Sequence, residues 1–361
     1  MKIEDLGYNS FFEESRNQLG LSDFPVARII SEHKGAYKVK DVDGEYLAKI
    51  TGKQIFEAKS REDYPAVGDW VAITRLDNDH AVIQGALERS TVIKRKHGDK
   101  NRSGEKDKVQ IIAANIDVAF VVESLDRDYS LNRFERYIAI AENGGVKPAI
   151  ILNKVDLIPK EELDERLLQL ESRLAGIDVI LTSTVSDEGL DELKRYIAKG
   201  KTYCFLGSSG VGKSSLINKL LGSEAAKTGK ISSYSDRGKH TTTSRQMYII
   251  DNGGIVIDNP GIREVGMTDS GGVDTVFDEI ADLSGKCKFS DCTHTREPGC
   301  AVIKAVESGE LDEAQYANYM DLKNEADYYE MDDYEKREKD RQFGKFMKKA
   351  KKELKDYGNK Y

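Results

Sequence analysis

A short apolar segment, Thr202-Tyr-Cys-Phe-Leu206, runs directly into Gly207-Ser-Ser-Gly-Val-Gly-Lys213-Ser214, and an amphipathic stretch with Leu216, Ile217 and Leu220 follows at once. Few folds accommodate strand, glycine-rich loop and helix in that order. The glycines let the backbone curl so that successive N–H groups converge, and the helix N-terminus adds its positive end. The segment reads as a phosphate loop in which Gly207, Ser208, Ser209, Gly210, Val211, Gly212, Lys213, Ser214 and Ser215 surround phosphates. Lys213 would reach the β- and γ-phosphates and Ser214 would hold Mg²⁺. The plainer alternative is a glycine turn that only caps a helix.

Two further segments address the base and the metal. Asn153-Lys154-Val155-Asp156 follows the apolar run 148–152. A carboxylate there accepts both guanine N1–H and the exocyclic amine, which adenine does not offer, and each such charge-assisted bond is worth about 1.5–3 kcal/mol. Thr182-Ser183 ends the next strand and suits a loop that presents a backbone N–H to guanine O6. Asp258-Asn-Pro-Gly261 follows the strand 255–257, placing Asp258 on Mg²⁺ through water and the Gly261 N–H on the γ-phosphate. All of these segments fall at strand C-termini, where parallel sheets bind ligands.

Between residues 118 and 257 apolar strands alternate with helical stretches, which predicts a parallel sheet covered on both faces. The order of the motifs is unusual. The base-reading segment precedes the phosphate loop, and the order closes with a threonine run at 241–243 and Asp258–Gly261. Such a site survives if the usual termini lie close, are joined by a new link over 188–202, and the chain opens elsewhere. The γ-phosphate-sensing segment then leads straight into the C-terminal part.

Residues 1–25 read as a helical leader anchored by Phe11, Phe12 and Leu19. Residues 26–100 carry five short alternating segments broken by Gly35, Asp43-Gly44 and Gly68, the pattern of a small β-barrel. The run 94–108 reads as an exposed linker, and residues 101–270 form the nucleotide domain. A helical module over 271–335 and a basic tail over 336–361 complete the chain. A net charge of −8 argues against a nucleic-acid partner, until the charge is mapped. Residues 307–335 alone carry net −10, leaving the remainder at +2 with basic clusters at 89–108 (+5) and 336–361 (+7). These clusters are candidates for phosphate-backbone contact. The five tyrosines Tyr316, Tyr319, Tyr328, Tyr329 and Tyr334 read as helix-packing residues rather than base stackers.

Cys287-x₄-Cys292-x-His294-x₅-Cys300 gathers four soft ligands within fourteen residues. Cys₃His suits a closed tetrahedral Zn²⁺ of structural kind. Free thiols, or a disulfide with one cysteine left over, are the alternatives. Cys204, in the strand before the phosphate loop, reads as plain core.

Together these motifs, with Ala66-Val-Gly-Asp-Trp-Val71 and Gly238-Lys-His-Thr-Thr-Thr243, resemble the circularly permuted GTPases of the RsgA/YjeQ family over about residues 26–330. The resemblance implies a multidomain α/β protein: an N-terminal OB-type barrel, a circularly permuted P-loop GTPase domain and a C-terminal helical zinc-binding domain. It implies GTP/GDP with Mg²⁺ as ligands and one structural Zn²⁺. It also implies GTP hydrolysis stimulated by the small ribosomal subunit during that subunit's late maturation, with rRNA contacts. Ile262 stands where Ras-like enzymes place a water-orienting glutamine. An apolar side chain cannot orient water, so the resemblance points to His240 as the catalytic group, with Lys213 and Gly261, and to Thr241 or Thr242 on Mg²⁺. A cytoplasmic monomer without a membrane segment is expected. The competing readings are a P-loop ATPase or kinase, and a nucleotide switch acting on a protein partner.

Overall fold

The computed structural model describes residues 1–33, 35–97, 108–126, 129–222, 245–259, 271–331, 334–339, 341, 344–345 and 347. The leader contains a 3₁₀ turn (Ile3–Leu6) and helix α1 (Ser10–Gln18). Five strands follow, β1 (Val26–His33), β2 (Ala36–Lys40), β3 (Glu45–Ile50), β4 (Trp70–Arg75) and β5 (His80–Ala86), with the short helix α2 (Gly52–Glu57) between β3 and β4. They pair in the order β1-β2-β3-β5-β4 and close through β4 on β1, with Ala27 opposite Val71. The barrel expected from the alternating segments is therefore present, with apolar side chains such as Ile29, Val39, Ala48, Ile73 and Ile83 filling its interior.

The leader packs against the outer side of this barrel, with one of its three expected anchors buried. Phe12 is buried, but Phe11 and Leu19 are exposed. Leu6 and Phe12 instead cluster with Trp70 and Leu87, and the Tyr8 ring meets Trp70 edge-on at 4.8 Å. Arg28 is fully buried and donates to the carbonyls of Leu6, Gly68 and Asn115, which ties leader, barrel and the following domain together. A second departure is the basic linker. Residues 94–97 belong to strand β6 (Val92–His97), which pairs antiparallel with β7 (Lys108–Ala114). Two cations of that basic cluster serve the fold: Arg89 is bound to buried Asp69 at 2.7 Å, and Lys94 to Glu62 at 2.6 Å.

The nucleotide domain is built on β8 (Val118–Ser124), β9 (Lys147–Asn153), β10 (Val179–Thr182), β11 (Thr202–Leu206), β12 (Gln246–Ile249) and β13 (Ile255–Asp258). Their order is β10-β9-β8-β11-β13-β12, parallel except for β12. Helices α3 (Leu131–Asn143), α4 (Lys160–Arg173), α5 (Leu190–Tyr196) and α6 (Lys213–Leu221) connect them. Every residue of β8 is buried. Val118, Phe120 and Val122 face a core shared with Leu193, Leu216 and Ile217, whereas Ala119 and Val121 join the opposite core with Phe134 and Ile138. Burial on both faces is why these strands read as continuous apolar runs. A pairing of Ser31 with Gln246 links the barrel to the end of this sheet.

The C-terminal module comprises α7 (Gly271–Val276), α8 (Asp278–Ser284), α9 (Ala301–Ser308) and α10 (Glu313–Glu330). It is fastened to α3. A Cβ on Gly272 would collide with the Ala139 carbonyl oxygen, so only glycine permits that approach. Arg136 pairs with Glu325 at 2.8 Å, and buried Glu135 binds Arg173 and Asn318. Tyr319 packs on Phe277, as expected of a helix-packing tyrosine, whereas Tyr334 is 75% exposed.

Candidate nucleotide site and metal centre

The phosphate loop links β11 to α6. Gly207, Gly210 and Gly212 all have positive φ, at 142°, 92° and 101°. A Cβ on Gly207 would strike the Val122 carbonyl oxygen, and one on Gly212 the Asn153 amide. The glycine spacing is thus a steric requirement of threading the loop between β8 and the base-reading segment. Lys213 is buried and donates to the carbonyls of Gly207 and Ser208 at 2.7 Å each. Burial pushes its ammonium down to about 8, against the opposing pull of Asp258 and Glu123.

Ser214 Oγ donates to Asp258 Oδ2 at 3.3 Å. Burial pushes the Asp258 carboxyl up to about 6, partly offset by Lys213 and by Ser214. Among the described residues, buried Asp258 Oδ1 has no hydrogen-bond partner. A hydroxyl beside a carboxylate with one unsatisfied oxygen fits an oxygen-seeking cation such as Mg²⁺. His240, Thr241, Thr242 and Gly261 lie outside the described residues.

The residues expected to read the base meet at the same rim. Asn153 is fully buried, and its amide joins two loops: Nδ2 donates to the Val211 carbonyl at 2.8 Å and Oδ1 accepts from Thr182 Oγ1 at 3.0 Å. Lys154 takes a left-handed backbone (φ 63°) and pairs with Asp126 at 2.9 Å. Asp156 is exposed, with Oδ1 accepting from Ser183 Oγ at 2.5 Å. The Ser183 N–H is committed to the Glu188 carbonyl, and the Val185 and Ser186 amides donate to Ser183 Oγ. Among the described residues the Thr184 N–H has no hydrogen-bond partner.

Three contributors escaped the sequence reading. Thr184 carries that amide. Asp126 steadies Lys154, and it follows β8 just as the base-reading segment follows β9, so the strand-end rule could have flagged it. Arg133 from α3 pairs with buried Glu123 at 3.1 Å and reaches Ser208 at 3.5 Å. Nothing in the local sequence points α3 at the phosphate loop.

The second centre lies between α8 and α9. The ligand atoms of Cys287, Cys292, His294 and Cys300 all fall within 4.8 Å of one another. Cys287 Sγ is 3.8 Å from Cys300 Sγ and 3.6 Å from His294 Nδ1, and His294 Nδ1 is 3.4 Å from Cys300 Sγ. A tetrahedron with metal–sulfur bonds of about 2.3 Å has edges of about 3.8 Å, so the cluster fits Zn²⁺. Amides of Ala301 and Ile303 point at the Cys287 and Cys300 sulfurs, as donors to thiolates should. Cys204 is buried in the sheet, as expected.

The RsgA GTPase family matches residues 86–268. The small ribosomal subunit biogenesis GTPase RsgA 1 of Bacteroides thetaiotaomicron is 38% identical over 332 residues, covering 91% of each chain. RsgA 2 of Lactiplantibacillus plantarum is 42% identical over 303 residues, covering 84% of each. The crystal structure of YjeQ from Thermotoga maritima is similar with a TM-score of 0.61 at 29% identity, covering 83% of this chain and 98% of that one. The circularly permuted GTPase YloQ shares the fold with a TM-score of 0.59, over 86% of this chain and 97% of its own. Permuted motif order, a closed five-stranded barrel, a Cys₃His cluster and these matches agree, and the chain belongs to the RsgA GTPase family.

Proposed function

We propose that this chain hydrolyses GTP to GDP and phosphate, binds the small ribosomal subunit through its rRNA, and assists the late maturation of that subunit. The observation that carries the nucleotide half is one rim. Exposed Asp156, held by Ser183, stands beside the open Thr184 amide, and Asn153 joins that rim to the phosphate loop. Asp156 would accept guanine N1–H and the exocyclic amine, while the Thr184 N–H would donate to O6. The names of the relatives support the ribosomal half.

Lys213 would leave the Gly207 and Ser208 carbonyls and move to the β/γ-phosphate oxygens, where its charge offsets the negative charge of the transition state. Ser214 and Asp258, with Thr241 or Thr242, would hold Mg²⁺, which supplies further neutralisation of the phosphate charge. Gly261 would sense the γ-phosphate and His240 would orient water. Cys287, Cys292, His294 and Cys300 would hold one Zn²⁺ that shapes the C-terminal module. The protein would act as a cytoplasmic monomer. No helix among the described residues is long and apolar enough to cross a membrane. The five segments 1–25, 26–100, 101–270, 271–335 and 336–361 would be leader, barrel, GTPase domain, zinc module and tail.

Unassisted GTPases that lack a positioned catalytic group turn over at roughly 10⁻⁴ to 10⁻² s⁻¹. Turnover is therefore expected to be slow alone and strongly raised by small subunits, with co-sedimentation favoured by a non-hydrolysable GTP analogue over GDP. Equal turnover with and without subunits would sink the reading.

A further inference from the structure

Side chains from two other elements hold the phosphate loop. Asn153 bonds the Val211 carbonyl, next to the start of α6. At the opposite end of the loop the Ser208 hydroxyl lies against α3. The Arg133 guanidinium reaches Ser208 Oγ at 3.5 Å, and the hydroxyl of buried Tyr137, one helical turn on, shares a hydrogen bond with the same side chain. A serine hydroxyl has one proton to give and lone pairs to accept with, so it serves both neighbours at once. Ser209 and Gly210, between the two holds, are exposed.

Arg133 is itself anchored. It pairs at 3.1 Å with Glu123, a fully buried residue of β8. A carboxylate inside a sheet is costly even when a cation meets it, and an apolar residue would serve packing better. The buried pair makes sense once it has a guanidinium to aim. Ser208 in turn matters beyond its hydroxyl, because its carbonyl accepts from Lys213 Nζ at 2.7 Å. Glu123, Arg133, Ser208 and Lys213 thus form a series from a buried strand to the ammonium that reaches for the β- and γ-phosphates. The end of the loop braced by Asn153 leads instead into the helix N-terminus, whose amides cradle phosphates whether or not the terminal one is present. The two holds therefore divide the labour: one serves binding of any guanine nucleotide, the other the terminal phosphate.

We propose that Arg133 is a positioning residue for GTP hydrolysis: it holds Ser208 so that Lys213 meets the terminal phosphate where the reaction needs it, with Tyr137 as the second point of the hold. This rests on the phosphate-loop reading above and adds residues that lie outside that motif. The test follows single-turnover hydrolysis of bound GTP, together with GDP affinity and melting temperature, in the full-length protein. R133K keeps a cation for Glu123 but lacks the planar fork that spans two partners, so its loss does not come from a bare buried carboxylate. S208A and Y137F leave the Glu123–Arg133 pair untouched. Each of the three should slow hydrolysis by roughly 3- to 10-fold, the size of one hydrogen bond, with GDP affinity within about twofold of wild type. Because Arg133 acts through Ser208, R133K combined with S208A should be no slower than S208A alone. A merely structural role would lower melting temperature and GDP affinity together, and the two losses would multiply. Wild-type hydrolysis by R133K, multiplied losses in the double variant, or a GDP affinity that falls in step with the rate each overturns the proposal. If R133K does not fold, wild-type hydrolysis by S208A and Y137F overturns it equally. Hydrolysis at the wild-type rate by K213A defeats the phosphate-loop reading itself, and the proposal with it.

Discussion

The Asn153 amide donates to the Val211 carbonyl at 2.8 Å, so the segment proposed to read the base is bonded to the glycine-rich loop proposed to wrap the phosphates. Asn153 itself is wholly buried, with both ends of its amide bonded to protein. Its place in the base-reading motif is that of a brace, sharing Thr182 on its other side.

Asn153→Ala should weaken GTP and GDP alike. Losing a buried hydrogen-bond partner costs about 1–3 kcal/mol, or roughly 5- to 150-fold in affinity. Calorimetric titration with both nucleotides checks this. Loss confined to GTP would mean that the brace acts on the γ-phosphate rather than on the whole site.

Asp156→Asn should behave differently. Its amide can donate where the carboxylate accepted, so preference should move from GTP toward xanthosine triphosphate by roughly 10-fold or more. Competition binding with the two nucleotides reads the shift, and an unchanged preference removes Asp156 from the base contact.

Removing the metal should open the C-terminal module. One zinc per chain is expected by elemental analysis, and Cys292→Ala should lose it, with about 10–16 kcal/mol of metal-linked folding energy at stake. Chelation should then expose Cys287, Cys292 and Cys300 to alkylation. Cys204, whose thiol burial pushes up to about 12, should label only on unfolding. Rapid native labelling at Cys204 would contradict its place in the sheet.

Arg173→Ala strips the cation from Glu135, which is fully buried between α3, α4 and α10. Breaking such a pair costs about 3–5 kcal/mol. Burial already holds the Glu135 carboxyl above its ordinary range, despite Arg173 and Asn318. A raised carboxyl weakens the fold at pH above its folded-state value, and that penalty vanishes once both states are protonated. The variant's deficit should therefore shrink as pH falls from neutral. Denaturant melts at several pH values measure it, and a deficit that is constant with pH would rule out an ionised Glu135.

Much of this molecule was legible in one dimension. The phosphate loop, Asp156, Asp258 and the Cys₃His cluster depend on short spacings that geometry demands locally: glycines where a Cβ would collide, a carboxylate at a strand end, four ligands within reach. The alternation of apolar runs and amphipathic helices was equally visible, because strands such as β8 are buried on both faces. The docking of the leader was the part only tertiary structure decided. Leu6 and Phe12, rather than Phe11 and Leu19, are the buried ones because they land beside Trp70. Likewise Arg133 meets Ser208 across 75 residues, and Glu135 meets Asn318 across 183. Such contacts follow from how helices and strands pack, and local sequence carries no record of which distant surface a side chain will face.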